Sequence, residues 1–229
     1  MRWPRFSRPR NPADEHVRER ARMVAEQLEA RGISDPELLR AFGAVERHRF
    51  VEGDEPYGDH ALPVGSGQTI SQPYVVAVMT ATAQPPGGWR NANVLEVGTG
   101  SGYQAALLAE MGARVTTIER HGSLAETARQ RLADAGYGDR VDVVVGDGTQ
   151  GWAPRAPYRS ILVTAGGPSV PEPLLEQLDR SGGRLVIPVG DREHQFLTLV
   201  VREGDELSTT EMEPVVFVPL IGKHGHRAD

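Results

Sequence analysis

From residue 91 onward, short unbroken apolar runs alternate with stretches in which apolar residues recur every three or four positions. Unbroken runs suit strands covered on both faces, and the wider spacing suits helices that bury one stripe. The runs at 94–97, 114–118, 141–145, 160–164 and 184–189 therefore predict strands. The segments 103–111, 123–135 and about 171–178 between them predict helices. Strict alternation of this kind builds a mostly parallel, doubly wound sheet, so the expected class is Rossmann-like α/β. Two later runs, 196–201 and 215–220, flank the turn-like Glu203-Gly204-Asp205-Glu206 and predict an antiparallel hairpin at the sheet edge.

The first ninety residues follow another pattern. Val17, Ala21, Val24 and Leu28 keep helical spacing through a charged stretch, which predicts an amphipathic helix over about 14–31 closed by Gly32. Asp35 is a good N-cap for a second helix with Pro36 at its first position and Leu38, Leu39 and Phe42 on its buried face. A Gly- and Pro-rich stretch over 51–73 is longer than a connection requires, which points to function. A third helix is expected over 73–83. The organisation expected is a disordered basic tail over 1–13 and one domain over 14–229. Within that domain, 14–90 supply helices and a substrate or cover loop, 91–221 the sheet core, and 222–229 a solvated tail.

Composition narrows the chemistry. None of the 229 residues is a cysteine, which removes disulfides, thiolate nucleophiles and cysteine-bound metals and fits the cytoplasm. No apolar run approaches the roughly 18 to 20 residues of a membrane span. The net charge of −6, with Lys223 as the single lysine, argues against nucleic-acid partners. His224-Gly225-His226 has no third ligand beside it, so no metal is assigned. The chain is expected to act as a monomer.

The run Val94-Leu95-Glu96-Val97-Gly98-Thr99-Gly100-Ser101-Gly102-Tyr103 carries the clearest chemical signal. Glycines at alternate positions allow positive φ and let a ligand approach the backbone, although a plain strand-to-helix turn also uses them. A dinucleotide loop spaced G-x-G-x-x-G would need glycine where Tyr103 stands. The tighter G-x-G-x-G behind Glu96 instead resembles motif I of S-adenosylmethionine-dependent methyltransferases. Glu119, seventeen residues past Gly102, ends the second strand, where a carboxylate can accept from both hydroxyls of a ribose; its other reading is a surface acid. Asp147 ends the third and can accept from an adenine amine beside Gly148, or simply form an Asp-Gly turn.

Upstream, Gly67-Gln68-Thr69-Ile70-Ser71-Gln72-Pro73-Tyr74 closely resembles the G-Q-T-I-S-x-P signature of protein-L-isoaspartate (D-aspartate) O-methyltransferases. The similarity extends through Arg49-Phe50-Val51, the glycine run, Val145-Gly146-Asp147-Gly148, Gly182-Gly183-Arg184-Leu185 and Phe217-Val218-Pro219-Leu220, over about 17–221. The resemblance implies S-adenosyl-L-methionine as cofactor and isoaspartyl-containing proteins and peptides as partners. The reaction it implies is methyl esterification of the free α-carboxylate, leading through a succinimide to repair. It makes Ser71 the catalytic-position hydroxyl and Gln68, Thr69, Ile70, Pro73 and Tyr74 the substrate or cover loop. It assigns Gly98, Gly100 and Gly102 to the methionine portion of the cofactor, Glu119 to its ribose and Asp147 with Gly148 to its adenine, and counts Glu96 and Thr99 among the cofactor-binding residues. Gln195 falls at a position near the cofactor. Some members carry histidine where this chain has Tyr74, so a histidine there is not a required base.

An α-carboxyl with pKa about 3.3 to 3.7 is ionised at neutral pH, so this reaction needs orientation and desolvation rather than a base. A serine hydroxyl that donates to the carboxylate suffices. Ser71 has two other readings: an N-cap for the helix at Pro73, and a hydrolase nucleophile, which the absent G-x-S-x-G turn disfavours. A same-fold O-methyltransferase acting on a dedicated peptide, a non-catalytic cofactor-binding scaffold and a dinucleotide-dependent oxidoreductase are the competing functions.

Overall fold

The computed structural model describes residues 12–227. The basic stretch expected as a disordered tail therefore lies, up to residue 11, outside the described residues. Helix α1, Pro12–Arg22, continues through a π-helical turn over Met23–Leu28 and a 3-10 turn over Glu29–Arg31, and Gly32 ends it at φ +92°. The expected helix is thus continuous but irregular inside. Helix α2, Pro36–Ala44, is capped as its sequence suggests: the Asp35 carboxylate accepts the backbone N–H groups of Glu37 at 2.8 Å and Leu38 at 2.9 Å. Asp35→Ala is expected to lower stability by about 1 kcal/mol, measured by urea denaturation.

The long Gly/Pro stretch holds an element absent from the expectation. Strands β1, Leu62–Gly65, and β2, Gln68–Ile70, pair antiparallel across Ser66-Gly67, both at positive φ. A two-residue turn with two positive φ values matches the right-handed twist of a hairpin, so the signature segment sits on a rigid ribbon. Helix α3 follows at Pro73–Ala83.

Strands β3 (Asn93–Val97), β4 (Arg114–Glu119), β5 (Val141–Val145), β6 (Ser160–Val163) and β7 (Ser181–Gly190) run parallel in one sheet. Strands β8 (Gln195–Glu203) and β9 (Glu206–Val215) complete it, in the order β5-β4-β3-β6-β7-β8-β9. Helices α4 (Tyr103–Glu110), α5 (Gly122–Asp134) and α6 (Glu172–Glu176) stand between strands. Side chains alternate along β3: Val94 joins a core shared with Leu28, Phe42 and Phe50 from the N-terminal helices, while Leu95 and Val97 join the core of the opposite face. The N-terminal helices therefore pack on the sheet itself.

One strand assignment needs correction. The hairpin partner of β8 is the polar Glu206–Val215, not the apolar 215–220. β9 is an edge strand exposed along most of its length, held by its backbone ladder rather than by burial, so hydrophobic pattern does not reveal it. The apolar residues after it cross the carboxyl ends of the parallel strands. The Gly166 N–H donates to the Val218 carbonyl at 2.8 Å and the Leu220 N–H to the Gly166 carbonyl at 2.7 Å, which buries Phe217 and Leu220.

Candidate active site

Strand order reverses around β3, which has β4 on one side and β6 on the other. Crossover connections leave the sheet in opposite directions there, opening a crevice beyond the strand ends. The loop 98–102 turns into that crevice. Gly98 has φ +97°, and a Cβ on it would lie 2.4 Å from Thr164 Oγ1; Gly102 has φ +90° and opens α4. Any side chain at 98 would fill the approach to the loop.

Three adjoining hollows occupy the crevice, and Thr69 and Thr164 border all of them. The first lies beside Gly98, Gly100, Glu119, Gly148 and Ile221. Glu119 is buried at its mouth, with one oxygen accepting the Gly100 N–H and the other the His121 N–H, each at 3.0 Å. Each oxygen keeps a lone pair, so the carboxylate can accept two more donors from a ligand.

Asp147 differs. One of its oxygens accepts the Thr149 N–H at 3.0 Å and hydroxyl at 2.7 Å, the other the Lys223 N–H at 2.8 Å and the Gln150 amide at 3.3 Å. Burial pushes its pKa up, but the donors from Lys223, Thr149 and Gln150 outweigh it and hold the carboxyl below the usual range. Its acceptor sites are filled, and an adenine amine would have to replace the longest of these bonds, from Gln150. Gly148 is spared a side chain because a Cβ there would lie 2.4 Å from Val97 Cγ1. Lys223 and His224, expected on a solvated tail, are instead tied to Asp147 and Thr149, and the His226 N–H donates to the Leu220 carbonyl at 2.8 Å. The carboxyl-terminal segment thus folds over this end of the crevice.

The second hollow is lined by Glu96, Thr99, Ser101, Tyr103 and Gln104 and reaches Ile70 and Ser71. Glu96 is completely buried. Burial pushes its pKa up to about 8 against the Thr117 hydroxyl, which donates to Oε2 at 2.5 Å, and the nearby Glu119 charge raises it further. Oε1 has no hydrogen-bond partner. An open carboxyl oxygen beside a cavity, on an acid that burial keeps protonated, is what a cationic ligand group would complete, its charge favouring the ionised form. Thr99 supports the floor through its hydroxyl, 2.7 Å from that of Thr117.

The third hollow is a cavity of 510 Å³ walled by Val75, Phe196, Val215, Phe217 and Val218 and bordered by Ser71. The N-cap of α3 is Gln72, without a side-chain cap bond, so Ser71 does not cap that helix. Its carbonyl accepts from Arg47 Nη2 at 2.8 Å, while its hydroxyl makes no hydrogen bond among the described residues. Gln195 stands in the same wall, but its amide is occupied: Oε1 accepts the Phe217 N–H at 2.8 Å and Nε2 donates to the Phe217 carbonyl at 3.1 Å. It pins the segment after β9; because Nε2 also donates to the Asp191 carbonyl at 3.2 Å, both amide hydrogens are used and only the second lone pair of Oε1 is left for a ligand. Gln68 borders the first hollow, buried Pro73 starts α3, and Tyr74 faces a side hollow rather than the main cavity.

Sequence reasoning missed Thr164, Phe217 and Arg47. A polar residue immediately after a buried parallel strand is the signal that would have found Thr164. Arg47 offers none: it is fully buried, donates to the carbonyls of Pro56 and Ser71, and its guanidinium lies 4.9 Å from the Tyr103 ring centre. Among the described residues no three His, Asp or Glu side chains converge as metal ligands, and no helix is long and apolar enough to cross a membrane.

The family model described as protein-L-isoaspartate(D-aspartate) O-methyltransferase matches residues 18–225. A protein-L-isoaspartate O-methyltransferase of Methanoculleus marisnigri is 50% identical over 220 residues, covering 95% of this chain and 98% of its own. One from Salinibacter ruber is 49% identical, covering 90% of this chain and 92% of its own. Among solved structures, a protein-L-isoaspartate O-methyltransferase superposes with a TM-score of 0.79 at 26% identity, covering 90% of this chain and 67% of that one. A Plasmodium falciparum chain described as the same enzyme and solved with S-adenosyl-L-homocysteine shares the fold, with a TM-score of 0.75 at 22% identity over 89% of this chain and 98% of its own.

Proposed function

The chain belongs to the protein-L-isoaspartate(D-aspartate) O-methyltransferase family, and from that premise we propose a division of labour among its three hollows. The protein uses S-adenosyl-L-methionine to methyl-esterify the free α-carboxylate of L-isoaspartyl residues in proteins and peptides. The neighbouring backbone amide nitrogen then attacks the ester carbonyl and expels methanol to close a succinimide, whose hydrolysis returns part of the damage to aspartate. The 510 Å³ cavity takes the isoaspartyl residue, and Ser71 donates a hydrogen bond to its carboxylate. Glu119 holds the ribose of the cofactor, and Glu96 Oε1 meets the ammonium of its methionine end. Asp147 and Gly148 border the adenine.

The observation that carries this reading is the meeting of donor and acceptor hollows at Thr69, Ser71 and Thr164. S-adenosylmethionine supplies a methyl group made electrophilic by its sulfonium. The chain has only to align an already ionised carboxylate with it and exclude water, and correct placement alone lowers a barrier by up to about 7 to 11 kcal/mol. The apolar walls and the β1–β2 ribbon provide that exclusion. Opposite charges attract more strongly there than in water. The net acidic charge of −6 supports action without nucleic acid, and the cysteine-free composition fits the cytoplasm.

The test offers the protein a synthetic isoaspartyl peptide, its aspartyl isomer and labelled S-adenosylmethionine, with methyl transfer followed by mass. Label on the isoaspartyl peptide alone is expected; label on neither sinks the reading. Ser71→Ala is expected to lower kcat roughly 10- to 100-fold, the worth of one hydrogen bond to a charged group, with cofactor affinity retained. Unchanged turnover would remove Ser71 from its role.

A further inference from the structure

Beside the acceptor cavity lies a side hollow of 190 Å³ that shares Gln72, Val75, Pro214 and Val215 with it. Its remaining walls are Tyr74 and Val78, on the same face of α3 as Val75, and Leu197 of β8. The size suits one side chain. Around the rim the polar groups are already committed to each other. The Arg31 guanidinium lies 3.4 Å from the Tyr74 ring centre and pairs with Asp59 at 3.2 Å, and the Gln72 amide donates to the same Asp59 at 2.8 Å. The aromatic wall is thereby held in place from outside, and Glu213 completes the opposite edge.

We propose that this hollow is a specificity subsite for the residue next to isoaspartate in the substrate, and that it selects an aliphatic or aromatic side chain. The inference rests on the assignment of the isoaspartyl residue to the cavity of Ser71. The occupant follows from continuity. A chain advances at most about 3.3 to 3.6 Å per residue, so a hollow sharing one wall with the acceptor cavity meets the immediate neighbour of the reacting residue rather than a distant one. The preference follows from the lining. Tyr74, Val75, Val78, Leu197, Pro214 and Val215 offer apolar surface, whereas at the rim Arg31 is already paired with Asp59 and Glu213 adds a second acid, which disfavours an acidic flank.

Two series of isoaspartyl peptides test this, one varied only at the residue before isoaspartate and one only at the residue after it, each with Leu, Phe, Gly and Glu. In one series Leu and Phe are expected to exceed Gly in kcat/KM by about tenfold, with Glu below Gly. Val78→Trp fills the hollow and is expected to bring the Leu-to-Gly ratio to about one; this ratio is read within one variant, so a general loss of activity does not mimic it. Val78→Ala enlarges the hollow and is expected to shift the preference from Leu toward Phe. S-adenosylmethionine binding by each variant reports folding, and the alanine variant decides if the tryptophan variant does not bind. Flank-independent rates in both series, or the wild-type ratio in the variants, overturn the subsite while leaving the acceptor cavity intact. No methylation of any isoaspartyl peptide, Gly-flanked ones included, overturns the acceptor assignment and the subsite with it.

Discussion

Glu119→Ala is expected to weaken S-adenosylmethionine binding roughly a hundredfold or more in a calorimetric titration. The native carboxylate uses one lone pair on each oxygen to hold the backbone N–H groups of Gly100 and His121, which leaves a further pair on each oxygen open. Two charge-assisted bonds to ribose hydroxyls at about 1.5 to 3 kcal/mol each account for a change of that size. The same substitution frees the Gly100 N–H, so part of the loss comes from a looser loop. Glu119→Gln separates the two contributions: it retains the shape and one strong acceptor, and an intermediate loss of roughly tenfold is expected. Binding by the alanine variant within threefold of the wild type would remove Glu119 from the cofactor.

Glu96→Gln is expected to act on stability in a pH-dependent way. Burial raises the folded-state pKa from its ordinary 4.5 to about 8. Between those values the folded chain keeps a proton that the unfolded chain has released. The stability contributed by the protonated carboxyl is therefore fully present below pH 4.5, is lost progressively as pH rises to about 8, and is constant above that. Glutamine imitates the neutral acid at every pH. The variant should be similar to the wild type at pH 4.5 and more stable at pH 8 by on the order of 4 kcal/mol in urea denaturation without cofactor. Parallel pH profiles for the two proteins would show that Glu96 is ionised in the fold.

The β3 run, the three glycines after it and helix α3 were legible because each depends on neighbours in sequence: an apolar run, φ values that only glycine adopts readily, and proline at a first helical turn. The β1–β2 hairpin also had a local signal, Ser66-Gly67, which the surrounding Gly and Pro obscured. β9 had none. An edge strand faces water on both sides, so its polar sequence looks like loop, while the apolar 216–220 looks like strand although it spends its apolar surface closing the crevice.

The site divides along the same line. Residue types and spacing along the chain were enough to determine the α/β class, the glycine loop, the acids at the ends of β3, β4 and β5, and the signature around Ser71. Only the tertiary structure decided which of those groups are available to a ligand. Asp147 is filled by the N–H of Lys223, seventy-six residues away, and Gln195 by Phe217, whereas Glu119 keeps two lone pairs and Ser71 an uncommitted hydroxyl. The reason is physical: a hydrogen-bonding group has a small number of partners, and when the fold supplies them from distant segments no pattern local to the residue can record that they are taken.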